Sequence, residues 1–118
     1  MPHGAVSWIE LPAADPDASA TFFETVFGWI VHREGMPGYI IFQDPAGHVG
    51  GGFRADLRPT GDGPLVYLSV DDIDAVLPTI EAAGGRVLAE RTAIDEQVGW
   101  WASFRDPGGN VLGLYQEA

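Results

Sequence analysis

Residues 42–49 are Phe-Gln-Asp-Pro-Ala-Gly-His-Val, and residues 104–111 are Phe-Arg-Asp-Pro-Gly-Gly-Asn-Val. The two octapeptides match at an offset of 62 residues. Each has an Asp-Pro turn signal between apolar residues that favour strands. Self-similarity at a fixed spacing indicates a duplicated structural unit. We therefore expect two copies of one supersecondary motif in this chain.

The similarity extends to the start of each half. Residues 15–18 align with residues 72–75 at an offset of 57, and both segments begin with an aspartate that is typical of a helix N-cap. At the offset of 62, Gly51 aligns with Gly113. The two offsets differ by one gap of five residues. The repeat therefore covers most of each half of the chain.

Each half has the hydrophobic pattern of a strand, a helix and three further strands. Apolar residues at helical spacing predict helices from Asp15 to about Phe27 and from about Asp72 to Ala83, where Pro78 predicts a kink or an earlier end. Alternating apolar residues and turn signals predict strands near residues 6–11, 29–33, 39–43, 49–54, 65–70, 86–90, 100–104 and 111–116. The order in each half is βαβββ.

Neither βαβββ unit is large enough to close a core alone, so the two units are expected to pair. We predict an α+β fold in which two tandem βαβββ modules form a curved mixed β-sheet cup with helices outside. One ligand cavity is expected at the seam. The chain is interpreted as a single domain over residues 1–118, with module one at about 4–54, a linker at 55–63 and module two at about 64–118.

Composition limits the function classes. The 118 residues include 17 acidic and 6 basic side chains, which gives a net charge of −11 and argues against nucleic-acid binding. No cysteine is present, so thiolate metal sites and cysteine nucleophiles are excluded. No apolar run is long enough to span a membrane, and the first residues lack the pattern of a signal peptide. We expect a cytoplasmic protein that does not bind membranes.

Several motifs together resemble the vicinal oxygen chelate (VOC) superfamily. They are Ser19 with Phe22-Phe23, then Phe27-Gly28-Trp29, the segment 68–72 and the closing segment 104–111. This superfamily includes glyoxalase I, extradiol dioxygenases, methylmalonyl-CoA epimerase, fosfomycin-resistance enzymes and bleomycin-resistance proteins. The resemblance spans essentially the whole chain and implies the fold. It does not select one reaction, because members isomerise, oxygenate, transfer thiols or sequester drugs.

The resemblance also implies where a divalent metal would bind. The corresponding positions in this chain are Trp8, Gly51, Leu65 and Gly113, and none of these side chains can ligate a metal. A shift of one or two residues would bring Glu10 or His48 closer but would not restore three or four ligands. We therefore expect no metal and no other cofactor.

Strand alternation predicts which side chains line the cavity if the family's ligand positions point inward. The candidate ligand-binding residues are Trp8, Glu10, Phe53, Leu65, Tyr67, Ser69, Trp101, Gly113 and Tyr115. This aromatic lining suits a flat or cationic guest. Glu10 is also the candidate catalytic residue, as a general base if burial raises its pKa; equally, it could pair with an arginine or a backbone group.

Three function classes remain open. The favoured one is a metal-free protein that binds and sequesters a small molecule, similar to bleomycin-resistance proteins that confer antibiotic resistance. The alternative is a glyoxalase-like lyase or isomerase, or a dioxygenase-type enzyme, with a rearranged metal site or metal-independent catalysis by Glu10. The third is a scaffold whose cavity is filled by Trp8, Tyr67 and Tyr115. A homodimer is expected, because half-cups leave apolar sheet faces uncovered.

Overall fold

The computed structural model describes residues 2–59 and 62–118. The predicted linker at 55–63 includes residues 60 and 61, which lie outside the described residues. The elements follow the predicted order of strand, helix and three strands, twice. In chain order they are β1 (Trp8–Pro12), α1 (Pro16–Phe27), β2 (Ile30–His32), β3 (Ile40–Gln43), β4 (Gly50–Arg54), β5 (Tyr67–Ser69), α2 (Ile73–Ala82), β6 (Arg86–Asp95), β7 (Gly99–Arg105) and β8 (Val111–Glu117).

Both helices begin at aspartate caps. Asp15 Oδ1 accepts a hydrogen bond from the backbone N–H of Ala18 at 3.2 Å, and Asp72 caps α2 in the same way. Helix α1 ends at Gly28, whose φ of 68° is the left-handed conformation that glycine adopts without strain. Helix α2 continues through Pro78 to Ala82. The proline therefore lies inside the helix, which ends one residue before the expected Ala83.

The strands form two four-stranded mixed sheets with equivalent topology. The order is β1-β4-β3-β2 in the first sheet and β5-β8-β7-β6 in the second. In each sheet the first and fourth strands of the module pair in parallel, and the other neighbours are antiparallel. The predicted α+β fold with two tandem βαβββ modules is confirmed. Both sheets are open, and each stays within its own module.

One hydrophobic core joins the two modules. Phe104 of the second sheet is fully buried, and its ring lies 6.0 Å from that of Phe22 and 5.6 Å from that of Phe27, both on α1. A polar contact ties the modules as well, because Asn110 Nδ2 donates a hydrogen bond to the carbonyl of Pro12 at 2.6 Å. The helices therefore pack on the core side of the sheets, and the opposite sheet faces are left open.

The two β-hairpins that carry the repeated octapeptides differ by one residue. Phe42 pairs with Gly51, whereas its counterpart Phe104 pairs with Leu112. The first hairpin therefore contains one additional residue before β4. Gly51 corresponds to Leu112, and the structural counterpart of Gly113 is Gly52. The equivalence of Gly51 and Gly113 in the two modules, expected from the sequence repeat, is wrong for this reason.

The helices are short, with 12 residues in α1 and 10 in α2. Within residues 2–59 and 62–118, neither has the length and apolar character needed to cross a bilayer.

Candidate functional site

Strand pairing divides the first sheet into two faces. Trp8 pairs with Gly50, and Glu10 pairs with Gly52. Paired residues share a face of a sheet, and so do residues two positions apart. Trp8 and Glu10 therefore lie on the face opposite α1. We call this the first open face, and it comprises Trp8, Glu10, Ile30, His32, Ile41, Gln43, Gly50, Gly52 and Arg54.

Two aromatic rings lie flat on this open face above glycines. A Cβ atom at Gly50 would lie 3.3 Å from Trp8 Cζ3, and one at Gly52 would lie 2.1 Å from Tyr39 Cζ. The Trp8 indole donates a hydrogen bond from Nε1 to Tyr39 Oη at 2.9 Å. Gly52 therefore leaves the space in which Tyr39 lies against the sheet, and a Cβ atom at Gly50 would press on Trp8.

The same tyrosine holds the candidate catalytic carboxylate. Tyr39 Oη donates a hydrogen bond to Glu10 Oε2 at 2.7 Å, and Arg54 Nη1 donates to Glu10 Oε1 at 3.0 Å. These two hydrogen bonds, with the larger effect from Tyr39, hold the pKa of Glu10 below its ordinary value of 4.5. A general base at neutral pH requires the opposite shift. The interpretation that Glu10 pairs with an arginine is the one that the contacts favour.

Arg54 is itself shared between two carboxylates. Its Nε lies 3.0 Å from Asp56 Oδ1, and its second terminal nitrogen contacts Asp56 Oδ2. Asp56 thus accepts two hydrogen bonds from Arg54, and Glu10 accepts one from its remaining nitrogen. Three of the five N–H donors of this guanidinium are therefore engaged by carboxylates. The cluster of Tyr39, Glu10, Arg54 and Asp56 carries a net charge of −1.

The second sheet places most of the remaining candidates on its own open face. Tyr67 pairs with Gly113, and Ser69, Tyr115 and Trp101 form one row across the sheet. We call these residues the second open face. A Cβ atom at Gly113 would lie 2.3 Å from the Tyr67 ring, the same arrangement as Tyr39 above its glycine.

Trp101 and its neighbour Trp100 point to opposite sides of β7. Trp101 pairs with Tyr115 on the second open face, whereas Trp100 packs against the core and has the Arg91 guanidinium 4.3 Å above its ring. Tyr115 donates a hydrogen bond from its hydroxyl to the carbonyl of Val98. The β6–β7 hairpin therefore carries Trp101 and holds the hydroxyl of Tyr115.

The orientation predicted for Phe53 is wrong. Its side chain is only 1% exposed and lies on the helix side of β4, with its ring 6.0 Å from Phe23 and 5.1 Å from Phe42. Gly51 faces the same side, because a Cβ atom there would meet the Phe42 ring. Gly51 and Phe53 are two positions apart on β4, so their side-chain positions face the same side of the sheet, which is the core side. The open-face residues of β4 are Gly50, Gly52 and Arg54.

A cavity of about 820 Å³ lies between the two modules. We call it the seam cavity. Its size is within the range of small-molecule sites. Its walls come from β1, from the segment that precedes β5, and from the start of β8. The lining includes Val6, Trp8, Glu10, Leu57, Arg58, Pro64, Leu65, Val66 and Val111.

The seam cavity brings together only part of the predicted site. Trp8, Glu10 and Leu65 line it, whereas Tyr67, Ser69, Trp101, Gly113 and Tyr115 lie outside it, on the second open face. Exposure of two of the three predicted fillers argues against the scaffold interpretation, because Trp8 is 47% and Tyr67 53% exposed. The cavity is not filled by these side chains.

Sequence reasoning missed three residues of the site. Tyr39 lies just before β3 and closes the network around Glu10, and Arg54 completes it. Arg58 is in the predicted linker and lines the seam cavity. The run Gly50–Gly52 was the available signal, since consecutive glycines in a strand indicate close approach of another group. It does not indicate which ring approaches.

Comparison with known proteins gives the family. The sequence profile of the Glyoxalase/Bleomycin resistance protein/Dioxygenase superfamily matches residues 5–114. The chain belongs to this superfamily. Anthracycline biosynthesis protein DnrV of Streptomyces peucetius is 32% identical over 132 residues, which cover 97% of this chain and 47% of DnrV. A glyoxylase-like domain-containing protein of Didymella fabae is 27% identical over 127 residues, which cover 92% of this chain and 91% of that protein.

The chain spans about half the length of DnrV. Solved structures of superfamily members have the same fold. A glyoxalase/bleomycin resistance protein/dioxygenase family enzyme from Burkholderia phytofirmans PsJN superposes with a TM-score of 0.81 at 19% identity, over 98% of this chain and all of the other. TnmS3, an antibiotic binding protein from Streptomyces sp. CB03234, superposes with a TM-score of 0.73 at 21% identity, over 100% of this chain and 99% of TnmS3.

The superfamily implies a divalent metal, and the side chains present do not fit one. No side-chain ligand atom is available at Trp8, Leu65 or Gly113. The β4 position is Gly51 by the sequence repeat and Gly52 by the strand pairing, so it is a glycine in either case. Glu10 lies two residues from Trp8 on the same face, and both of its oxygens already accept hydrogen bonds from Tyr39 and Arg54. Among the described residues, no group of three histidine, aspartate or glutamate side chains could hold a metal ion.

Proposed function

We propose that this chain binds a small aromatic molecule in the seam cavity and that binding requires no metal ion. The observation that carries the proposal is the lining of that cavity. The Trp8 indole forms part of a wall that is otherwise mainly aliphatic, with Leu57, Leu65 and Val111 as examples. A planar guest could stack on the indole and contact these apolar side chains.

The network beneath Trp8 supports a binding role over a catalytic one. The indole N–H is held by Tyr39, so the ring has a fixed orientation before a guest arrives. Groups fixed in advance lose little entropy on binding. Glu10, with a lowered pKa and both oxygens engaged, supports the architecture of the site rather than proton abstraction.

The relatives are consistent with an aromatic guest. DnrV is named for anthracycline biosynthesis, and TnmS3 is described as an antibiotic binding protein. We extend from these names only the chemical class, a polycyclic aromatic molecule. Sequestration of such a molecule would protect the cell that makes or meets it. We place this activity in the cytoplasm and treat residues 1–118 as one binding unit.

A second copy of the chain is the partner that we propose for the open faces. Ile30 on the first open face is 46% exposed and Tyr67 on the second is 53% exposed, so both faces carry uncovered apolar surface. Two copies could cover both faces through one two-fold contact. Sedimentation velocity should give a dimer that Ile30→Asp converts to monomer. A monomeric unmodified chain at all concentrations would contradict the proposal.

The binding proposal is tested with anthracene-2-methanol, a neutral probe, titrated into protein treated with excess EDTA. Leu65 lines the seam cavity and is 52% exposed, so Leu65→Trp should narrow the cavity and weaken binding. Leu88 is 44% exposed but does not line this cavity, and Leu88→Trp is the matched control. NMR should show the probe shifting the Trp8 indole N–H resonance. Equal affinities for the two variants, or no binding, would contradict the proposal.

A further inference from the structure

Arg58 is a cation in the wall of the seam cavity. Its Nη1 donates one hydrogen bond, to the carbonyl of Ala55 at 3.3 Å, and its side chain is exposed. No carboxylate of the described residues forms an ion pair with it, although Arg33, Arg54 and Arg91 all have such partners. The guanidinium therefore has donors available at the edge of the cavity.

The other charge in this cavity is already compensated. Glu10 also lines it, but its carboxylate binds Arg54 and Tyr39. Arg54 is in turn held by Asp56 and does not line the seam cavity. Arg58 is thus the uncompensated charge among the described lining residues. The rest of the lining is apolar apart from backbone groups and Asn110, which is engaged with Asp106 and Pro12.

We propose that Arg58 determines the specificity of the seam cavity and selects aromatic guests that carry a carboxylate on one edge. A guanidinium presents paired N–H donors in a planar fork that matches the two oxygens of a carboxylate. The aromatic body of the guest lies against Trp8 and Leu65, and its carboxylate lies against Arg58. This inference rests on the proposed function, because it assigns the polar end of the same guest.

The net charge of the chain favours the opposite class of guest. A net charge of −11 attracts cations over long distances and repels anions. That field is screened by salt, whereas a carboxylate in contact with Arg58 also gains the directional hydrogen bonds of the guanidinium fork. The local charge at Arg58 therefore decides affinity, and the overall charge affects the rate of association. An anionic guest should associate faster as salt is added.

Three probes with the same ring system separate these possibilities. They are anthracene-2-carboxylate, the neutral anthracene-2-methanol and the cationic 2-(aminomethyl)anthracene, each titrated by fluorescence into the intact chain. The carboxylate should bind most tightly. Arg58→Gln should weaken its binding about tenfold, which corresponds to loss of one charge-assisted contact, and leave the neutral probe unchanged. Arg58→Lys should retain part of the affinity, because it keeps the charge but not the fork.

Arg86→Gln is the matched control, since Arg86 is an exposed arginine on β6 that does not line the seam cavity. It should leave all three affinities unchanged. The inference is overturned if the neutral probe binds and the carboxylate binds no better, or if Arg58→Gln and Arg86→Gln have the same effect; the binding function then stands. If none of the three probes binds, the proposed function itself fails, and the assignment of Arg58 fails with it.

Discussion

The hydroxyl of Tyr39 lies 2.7 Å from Glu10 Oε2 and 2.9 Å from the indole nitrogen of Trp8. It donates to the carboxylate and accepts from the indole, so one residue outside the regular strands fixes two side chains of β1. Trp8 is thereby oriented at the seam cavity, while Glu10 is held as a paired anion. The arrangement explains how a site without metal ligands can still be preorganised.

Removal of the Tyr39 hydroxyl should raise the pKa of Glu10. Tyr39→Phe deletes the largest of the contacts that lower this pKa and leaves the Arg54 contact in place. NMR titration of the Glu10 carboxyl carbon should therefore show a value closer to 4.5 than in the unmodified chain. Tyr67→Phe, on the second open face, should not change it. An unchanged Glu10 pKa in Tyr39→Phe would show that the hydrogen bond is not formed.

The sign of the Glu10 shift fixes its effect on acid stability. A carboxylate whose pKa is lower in the folded chain stabilises the fold above its ordinary pKa, and this contribution is lost as the pH falls through the folded value. Tyr39→Phe should therefore weaken the dependence of unfolding free energy on pH below about pH 4.5. Urea unfolding at several acidic pH values measures this slope. An unchanged slope would contradict the account.

The two equivalent turn aspartates should titrate in opposite directions from 3.8. Burial is the main influence on Asp106, which is 4% exposed, and it raises that pKa. Asp44 is also raised by partial burial, but backbone N–H groups of His48 and Val49 outweigh this and lower its pKa. Asp44 therefore stabilises the fold at pH values above its ordinary pKa. Asp106 stabilises the fold at pH values below its ordinary pKa, and this stabilisation is lost as the pH rises through the raised value. NMR titration would contradict this if Asp44 had the higher pKa.

Two glycines on equivalent strands should respond very differently to alanine. At Gly51, a Cβ atom would lie 1.9 Å from the backbone carbonyl of Ile9, which cannot move without breaking the sheet. At Gly113, it would meet the exposed Tyr67 ring, which can rotate away. Gly51→Ala should lower the unfolding free energy by about 3 kcal/mol or prevent folding, and Gly113→Ala by less than about 1 kcal/mol. Chemical denaturation measures both, and equal losses would contradict the β4 register.

The shared core should make the two modules unfold together. Phe104 is fully buried between its own sheet and α1, so Phe104→Ala should lower the unfolding free energy by about 3–5 kcal/mol. Leu88→Ala, at an exposed position, should change it by no more than about 0.5 kcal/mol. Circular dichroism and tryptophan fluorescence should report a single transition in both variants. Two separated transitions would contradict a common core.

Local signals in the sequence were sufficient to predict the order of the elements. Aspartate caps, the glycine after α1 and period-two alternation each act within a few residues, and the structure confirms the elements that they predict. Strand β6 is longer than predicted, ending at Asp95, because pairing with β7 across register shifts stabilises residues that have no strong pattern of their own. That pairing is a tertiary effect.

The site was less predictable because it depends on register and on loops. Because the first hairpin has one additional residue, Gly51 and Phe53 lie on the core face. A shift of one residue moves every side chain of a strand to the opposite face of the sheet. Arg58 belongs to a segment without periodicity, and the pattern that predicted a strand from residue 39 does not indicate what the Tyr39 hydroxyl contacts, so both positions come from the folded chain. The orientations on β1 and β5 were predictable, because Leu68 and Val66 are apolar where the sheet faces the helices.

Binding of an aromatic guest should be independent of metal ions. The dissociation constant of anthracene-2-methanol would be measured by fluorescence titration in excess EDTA, and again after the EDTA is removed by dialysis and equimolar Zn²⁺, Ni²⁺, Mn²⁺ or Fe²⁺ is added. We expect the same dissociation constant in every condition and no metal-induced rise in melting temperature, because a metal that binds only the folded chain must raise that temperature. Binding that appears only with a metal, accompanied by such a rise, would contradict a metal-free site.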